Sequence, residues 1–289
     1  MPIQITPTSA ALGAFVRGLD VDSMTLQEED SLRQAFTDYG LLIFKDVGLS
    51  VAQQLRLSHV FGPTVPHPVP SVRHPDEPML IVLAANEGKP AADDDPDADK
   101  IVGILEWHAD TMYVEVPTRG ALLQAVTLPK VGGNTAWIDR HEVFKALPQD
   151  VQDKIRPLKI RYSYEKSHRA QGVAKQGEIL FPDVISQLVF DHPESGLPVL
   201  NLSPTAAKGI LGLPEQEASE LFDYLVKFQC NEERAYIHVW EKDDAIVWDN
   251  WRTLHKTYGH PKRYPRVMHR TTLDSDVKLG TYVTELEDA

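Results

Sequence analysis

The chain has 289 residues, enough to bury a large hydrophobic core, and we expect a single domain over residues 1–289. Its hydrophobic share of 42% and charged share of 25% are ordinary for a globular protein, which excludes a coiled coil and a disordered chain. The formal net charge of −13 disfavours nucleic acid as a partner, because phosphate backbones attract basic surfaces.

Cysteine content and hydropathy indicate the cellular compartment of the protein. Cys230 is the only cysteine, so an intrachain disulfide and cysteine-rich zinc or iron–sulfur sites are excluded. The first residues lack the basic and apolar regions of a signal peptide, and no apolar run approaches the roughly 20 residues that span a bilayer. We therefore expect a cytoplasmic protein with no membrane partner.

Two capped helices dominate the beginning of the chain. Capping-box patterns that start at Thr25 and Ser50 predict helices that end at Gly40 and Gly62. Residues 63–75 carry so many prolines that we expect a stiff loop without regular structure. Short strands are expected around these elements, at residues 3–6, 14–19, 41–46 and 78–84.

Two polar segments are candidates for lids. Residues 88–100 contain five aspartates and two prolines and lack the glycine and terminal glutamate of an EF-hand, which favours a solvated loop over a calcium site. Residues 162–182 are polar and without periodicity. We therefore predict mobile insertions near residues 85–103 and 162–184.

Short strands prevail in the remainder of the chain. A turn rich in glycine at residues 130–134 joins two predicted strands, and helices are expected at residues 141–147 and 215–228. Many short strands with helices early and late predict a mainly β, double-sheet fold with flanking helices. The further strands are expected at residues 119–129, 134–139, 199–202, 236–240, 245–248 and 266–273.

A histidine and an aspartate stand one residue apart at positions 108 and 110. In an extended segment His108 and Asp110 would point to the same face. Two imidazoles and one carboxylate are typical of non-haem Fe(II) oxygenases, and His255, after a strand and a turn, is the candidate for the third ligand. An accidental surface pair and a zinc hydrolase remain alternatives.

Two arginines near the end of the chain strengthen the case for a site. Arg266 and Arg270 are evenly spaced in a predicted strand and therefore share one face. Such arginines are more often solvated than buried, but a site for organic anions would need cations of this kind.

Four motifs, in this order along the chain, resemble the taurine dioxygenase family of Fe(II)/2-oxoglutarate-dependent dioxygenases. They are WHAD at 107–110, GGNT at 132–135, VWDNWRTLH at 247–255 and YPRVMHRTT at 264–272. The resemblance covers most of the chain, and its opening is similar to the aryloxyalkanoate dioxygenase members. It implies a double-stranded β-helix (jelly roll) that binds Fe(II) through His108, Asp110 and His255 and uses 2-oxoglutarate and O₂.

The resemblance also implies roles for other residues. Arg266 would hold the distal carboxylate of 2-oxoglutarate with help from the hydroxyl of Thr135, and each hydrogen bond to a charged group contributes about 1.5–3 kcal/mol. Arg270 and His67 would bind the primary substrate. Related enzymes are commonly dimers or tetramers, so we expect a homo-oligomer.

The expected substrate is larger and more apolar than taurine. A tyrosine and an asparagine of the taurine dioxygenases correspond here to Pro70 and Ile104. Several aromatic residues could line such a pocket or belong to the core instead. They are Trp107, Tyr113, Tyr162 and Tyr164.

The predicted reaction is hydroxylation of a small to medium organic acid, with release of succinate and CO₂. The acid is a carboxylate or sulfonate, including aryloxyalkanoate-like compounds, and an ether or C–S bond can break after hydroxylation. One alternative is a hydroxylase or desaturase of an amino acid or secondary-metabolite intermediate. Another is a non-catalytic, anion-binding jelly roll.

Overall fold

The computed structural model describes residues 3–85, 88–92, 94–170 and 181–283. Its helices are α1 (Leu26–Tyr39), α2 (Val51–Phe61), α3 (Arg140–Ala146), α4 (Gln149–Ile155), α5 (Tyr164–Ala170) and α6 (Glu215–Gln229). Its strands are β1 (Gln4–Pro7), β2 (Ala14–Arg17), β3 (Leu41–Phe44), β4 (Thr64–Val65), β5 (Leu80–Ala85), β6 (Ile101–His108), β7 (Gly120–Thr127), β8 (Thr135–Asp139), β9 (Lys159–Tyr162), β10 (Val184–Gln187), β11 (Val189–Asp191), β12 (Pro198–Leu200), β13 (Ala207–Leu211), β14 (Tyr236–His238), β15 (Ala245–Asp249), β16 (Thr253–Pro261), β17 (Arg266–Leu273) and β18 (Gly280–Tyr282).

Two sheets of mainly antiparallel strands form the centre of the fold. The larger has the order β1-β2-β3-β15-β7-β17-β4, with β5 paired to β17, and the second has the order β14-β8-β16-β6. Trp137 from β8 and Trp248 from β15 meet between them, with ring centroids 5.9 Å apart. Strands β15 and β16, which follow one another in the chain, therefore lie in different sheets on either side of one core.

The central strands of the larger sheet are buried on both faces. Along β3 and β15, Leu42 and Val247 pack beneath α1 and α2, while Ile43 and Trp248 point into the core between the sheets. A strand covered on both sides favours a continuous apolar run rather than alternation. This is why residues 41–44 read LLIF.

The helix ends agree with the sequence predictions. Thr25 and Glu28 form a capping box at α1, and Ser50 and Gln53 form one at α2. Gly40 ends α1 with φ 65°, a left-handed conformation that glycine adopts without strain. The predicted helices near the middle and end of the chain are confirmed as α3 and α6, within one residue at each boundary.

The prediction for the proline-rich loop is wrong in part. Residues Thr64–Val65 form the short strand β4 on the edge of the larger sheet, and Pro70–Val72 form one 3-10 turn. A proline at the first position of a helical turn loses no hydrogen bond, because its missing N–H would have been unpaired there.

The segment 162–182 is also more regular than predicted. Tyr162 ends β9 with a fully buried side chain, and α5 follows it. The order β13-β9-β10-β18 describes a further sheet, and β11 pairs with β12. Residues 171–180 of this insertion lie outside the described residues, so its mobility stays a prediction.

The aspartate-rich insertion is attached to the turn between β16 and β17. Asp95 pairs with Lys262 at 2.8 Å, and Asp99 pairs with Arg263 at 2.5 Å. The backbone N–H groups of Lys262 and Arg263 also donate to carbonyls of the insertion. Asp93 and residues 86–87 lie outside the described residues, and both the mobility of this segment and the single domain over 1–289 stay predictions.

Among the helices that the structure describes, none is both long and apolar enough to cross a membrane.

Candidate active site

Strands β6 and β16 bring two histidines together. They pair antiparallel with His255 opposite His108, and the ring centroids of these two residues lie 4.1 Å apart. Asp110 follows in the turn that begins where β6 ends, so the predicted extended geometry is wrong at this residue. The turn nevertheless brings the carboxylate back, and the ligand atoms of all three side chains lie within 4.8 Å of one another.

The imidazoles present their Nε2 atoms to the same point. His108 donates from Nδ1 to the carbonyl of Glu106 at 2.6 Å, which leaves Nε2 free to bind a metal. The Nε2 atoms of His108 and His255 lie 3.7 and 3.8 Å from Oδ1 of Asp110. Burial, and then the neighbouring His108, lower the pKa of His255 well below its usual value. His255 is therefore the neutral imidazole that metal ligation requires.

The Asp110 carboxylate has one oxygen available for a metal ion. Burial alone would raise its pKa, but the Arg270 guanidinium and the neighbouring imidazoles of His255 and His108 outweigh that effect and hold the pKa well below its usual range. Nη2 of Arg270 donates to Oδ2 at 2.5 Å. The carboxylate is therefore ionised, with Oδ2 engaged and Oδ1 turned towards the imidazoles.

Arg266 is a partly buried cation without a counter-ion among the described residues. Its Nη2 donates to the carbonyl of Gly133 at 3.3 Å, its Nε has no partner, and among the described residues no carboxylate pairs with it. Burial lowers the pKa of Arg266 to about 10. Such a guanidinium can bind an anion, because a carboxylate would supply the missing partner.

Glycine is required where the backbone meets this arginine. Gly133 has φ +76°, and a Cβ there would lie 3.1 Å from Nε of Arg266 and 2.9 Å from a side-chain atom of Pro129. Two residues later Thr135 is buried, and its Oγ1 accepts from Nε1 of Trp240 at 3.0 Å. The Thr135 hydroxyl keeps its hydrogen for another acceptor.

His67 lies close enough to the site to respond to its charges. Burial lowers the pKa of His67, the charges of Arg270 and Arg73 lower it further, and Asp110 opposes them. Its Nδ1 accepts from the backbone N–H of Val69 at 3.1 Å, so Nε2 is left to contact a ligand.

An aromatic cluster lies beside the carboxylate. The ring of Tyr164 lies 5.0 Å from those of Tyr113 and Phe181. Burial raises the pKa of Tyr113 to about 12, with contributions from the Asp110 carboxylate and from Tyr164. Phe181 is 37% exposed, so the cluster extends from the carboxylate to the surface.

The other candidate pocket residues lie elsewhere. Trp107 and Tyr162 belong to the hydrophobic core, with 5% and 0% of their surface exposed. Ile104 is 49% exposed on β6, and Pro70 is exposed at the start of the 3-10 turn. The replacement of polar substrate contacts by Ile104 and Pro70 stays a prediction.

Sequence reasoning missed three residues of the site. Asn250 binds the backbone of Asp110, but its only sequence signal was that of a turn. The ring of Trp248 lies 5.3 Å from the Arg270 guanidinium carbon and 5.1 Å from the His255 ring, whereas its sequence indicated only a buried strand. Phe181 carried no signal.

Comparison with known proteins identifies the chain. Residues 4–272 match the sequence model of the protein family described as "Taurine catabolism dioxygenase TauD, TfdA family". The chain belongs to this family. It is an Fe(II)- and 2-oxoglutarate-dependent dioxygenase that uses O₂, and the predicted family, enzyme class and cofactors are confirmed.

Individual relatives cover nearly the whole chain. It is 31% identical to a (S)-phenoxypropionate/alpha-ketoglutarate-dioxygenase of Sphingobium herbicidovorans, over 94% of this chain and 95% of the relative. It is 27% identical to the alpha-ketoglutarate-dependent 2,4-dichlorophenoxyacetate dioxygenase of Cupriavidus pinatubonensis, over 96% and 100%. The crystal structure of AAD-2 in complex with Mn(II) and N-oxalylglycine superposes with a TM-score of 0.79 at 25% identity, covering 99% and 100%. The predicted mainly β, jelly-roll fold is thereby confirmed.

Proposed function

We propose that His108, Asp110 and His255 bind the Fe(II), and that Arg266 with Thr135 binds the distal carboxylate of 2-oxoglutarate. The guanidinium of Arg266, partly buried and without a carboxylate partner among the described residues, carries this proposal, because a zinc hydrolase with the same three ligands would have no use for it. Arg266 and Arg270 stand four residues apart on β17, whose pairing with β5 is regular over that stretch. They therefore share one face of the strand.

When bound, Fe(II) and 2-oxoglutarate supply the oxidation of the substrate by O₂, with release of succinate and CO₂. The protein contributes position and charge. Neutral His255 and ionised Asp110 are ready to ligate without losing protons. Arg266 fixes one end of the dicarboxylate, so its keto-acid end is directed towards the metal ligands.

We infer that the primary substrate is an organic acid with an aryl or bulky apolar body, of the aryloxyalkanoate kind. Arg270 uses Nη2 on Asp110 and has an Nε without a partner, so it can also bind a substrate carboxylate. The aromatic cluster of Tyr113, Tyr164 and Phe181 offers ring faces and edges to the apolar part. Hydroxylation of the carbon that bears the ether oxygen would give a hemiacetal or hemiketal. Breakage of its bond to the aryloxy group would then leave a carbonyl compound and release the aryl group as a phenol.

Family membership removes the non-catalytic, anion-binding jelly roll as an alternative. A hydroxylase or desaturase of an amino acid or secondary-metabolite intermediate would use the same metal ligands, so only the substrate separates it from an ether-cleaving enzyme. Sulfonate substrates fit the same Arg270. Cytoplasmic location and a dimeric or tetrameric state stay predictions from the sequence.

The test is a comparison of substrates. Succinate formed from 2-oxoglutarate is measured with Fe(II), ascorbate and a panel of phenoxypropionate, 2,4-dichlorophenoxyacetate, taurine and amino acids. We expect an aryloxyalkanoate to stimulate succinate formation most, with an equal amount of phenol released. His255→Ala is the matched control and should form no succinate.

Two results would contradict the proposal. Stimulation by taurine or amino acids alone would overturn the substrate class and leave the metal site intact. Unchanged turnover in His255→Ala would remove this histidine from the metal ligands.

A further inference from the structure

Asp110, the proposed carboxylate ligand, lies in irregular backbone after β6. The pairing of β6 with β16 ends at His108, and Thr111 has φ +55°, an uncommon left-handed conformation for a residue with a Cβ. Asp110, between these two residues, therefore lies beyond the last strand pair of β6. Backbone N–H and C=O groups enclosed at such a place need other partners.

Asn250 supplies these partners through its side chain. Its Oδ1 accepts from the backbone N–H of Asp110 at 2.7 Å, and its Nδ2 donates to the backbone carbonyl of Asp110 at 2.9 Å. Nδ2 also donates to the carbonyl of Thr118 at 3.0 Å. Asn250 is completely buried, and its amide makes the same two-bond exchange with Asp110 that an antiparallel strand partner would make.

Buried arginines hold the turn that carries Asn250. Nη1 of Arg119 lies 2.6 Å from Oδ1 of Asp249. Nη2 of Arg140 donates to the carbonyls of Asn250 and Trp251 at 3.0 and 2.7 Å. A turn tied by side chains on both sides has little freedom to shift, and it is the turn that leads into the strand with His255.

We propose that Asn250 is a positioning residue for the metal site, which holds the Asp110 carboxylate in register with His255. The turn that contains Asn250 then positions two of the three ligands. It positions His255 directly, because it leads into β16, and it positions Asp110 through the Asn250 amide. This inference rests on the proposed function, in which these side chains bind the metal.

The experiment measures metal binding without turnover. Apo protein is titrated with Mn(II), and the Kd is obtained by calorimetry for wild type, Asn250→Ala and Gln54→Ala. Gln54 is the matched control, because it is a buried amide whose Nε2 donates to two backbone carbonyls, on the helical side of the larger sheet. Melting temperatures are recorded for all three.

We expect the Mn(II) Kd of Asn250→Ala to rise about tenfold to a hundredfold, the range for removal of groups that orient metal ligands. Gln54→Ala should lose thermal stability and keep its Kd within twofold of wild type. A Kd of Asn250→Ala within twofold of wild type, or an equal rise in Gln54→Ala, would overturn the inference.

Two additions keep the result decisive. If Asn250→Ala does not fold, Asn250→Ser places a shorter polar group there that cannot bridge both backbone groups, and the same rise is expected. If neither folds, hydrogen exchange of the wild-type Asp110 amide decides: protection like that of β16 supports the inference, and free exchange overturns it. His255→Ala is titrated in parallel, and an unchanged Kd there would reject the metal site itself, a different outcome from failure of Asn250 alone.

Discussion

Arg119 and Arg252, which are buried, have different surroundings from Arg266, which is partly buried. Arg119 and Arg252 each face carboxylates, and Arg252 is bound to Asp139 at 2.7 Å. Burial alone would lower the pKa of both arginines, but the carboxylates outweigh burial, so the pKa of each is raised. Arg266 faces none among the described residues, and burial lowers its pKa to about 10. The same type of side chain therefore has a protein counter-ion in one place and none among the described residues in the other.

The difference has an energetic consequence. A buried charge with a good partner destabilises the protein strongly when that partner is removed. A buried charge without one already costs stability in the ligand-free protein, and an arriving anion recovers it on binding. Substitution should thus affect stability at Arg252 and ligand binding at Arg266.

The largest effect is expected from Arg252→Leu. It would leave Asp139, of which 2% is exposed, as an uncompensated buried charge and lower the free energy of unfolding by about 3–5 kcal/mol. Denaturant titration followed by circular dichroism measures this. Arg266→Leu is the comparison and should leave the free energy of unfolding unchanged or raise it, because it removes a charge that has no partner to lose. An equal loss in both variants would abolish the distinction.

Arg266→Leu should instead raise the KM for 2-oxoglutarate. Loss of a charge-assisted pair of about 1.5–3 kcal/mol corresponds to roughly a tenfold to hundredfold increase. Steady-state succinate formation measures it. Arg263→Leu, in the adjoining turn and paired with Asp99, is the control and should leave this KM unchanged. A comparable rise in the control would show that the effect is not specific to Arg266.

Arg270→Leu should raise the KM for the organic-acid substrate about tenfold, through the loss of one charged partner. Because Arg270 also binds Oδ2 of Asp110, the variant should need more Fe(II) for half-maximal activity. With saturating iron, its KM for 2-oxoglutarate should stay near that of wild type. If the Arg266 and Arg270 variants weaken only the same ligand, the proposed division of roles is wrong.

The smallest effect concerns Asp249, the carboxylate that pairs with Arg119, and the pH dependence of the free energy of unfolding. Burial would raise the pKa of Asp249, but Arg119 and His192 hold it well below its usual range. The stabilisation is therefore complete above the unfolded pKa of about 3.9 and is lost as pH falls towards the folded value, by about 1.4 kcal/mol per pH unit. The wild-type free energy of unfolding, measured from pH 5 to 2.5, should fall with pH, and Asp249 should contribute about 1.4 kcal/mol per pH unit to the total slope. Asp249→Asn should show a shallower one, and equal slopes would contradict the assignment.

Local signals in the sequence sufficed for much of the fold. The capping boxes at Thr25 and Ser50 and the apolar run of β3 act over a few residues, so they could be recognised without knowledge of the fold. Strand β9 and helix α5 could not, because their polar sequence carries no clear period. Tyr162 is buried there only because residues distant in the chain cover it.

The sequence by itself determined the chemistry of the site: the ligand types, the two cations on one strand face and the family to which they point. Only the tertiary structure decided which partners those side chains have. Asn250 and Asp110 are 140 residues apart in the chain, and the absence of a carboxylate around Arg266 in the described residues depends on what every neighbouring element brings. Side-chain type and spacing are local properties of the chain, whereas pairing and burial arise only when distant elements pack together.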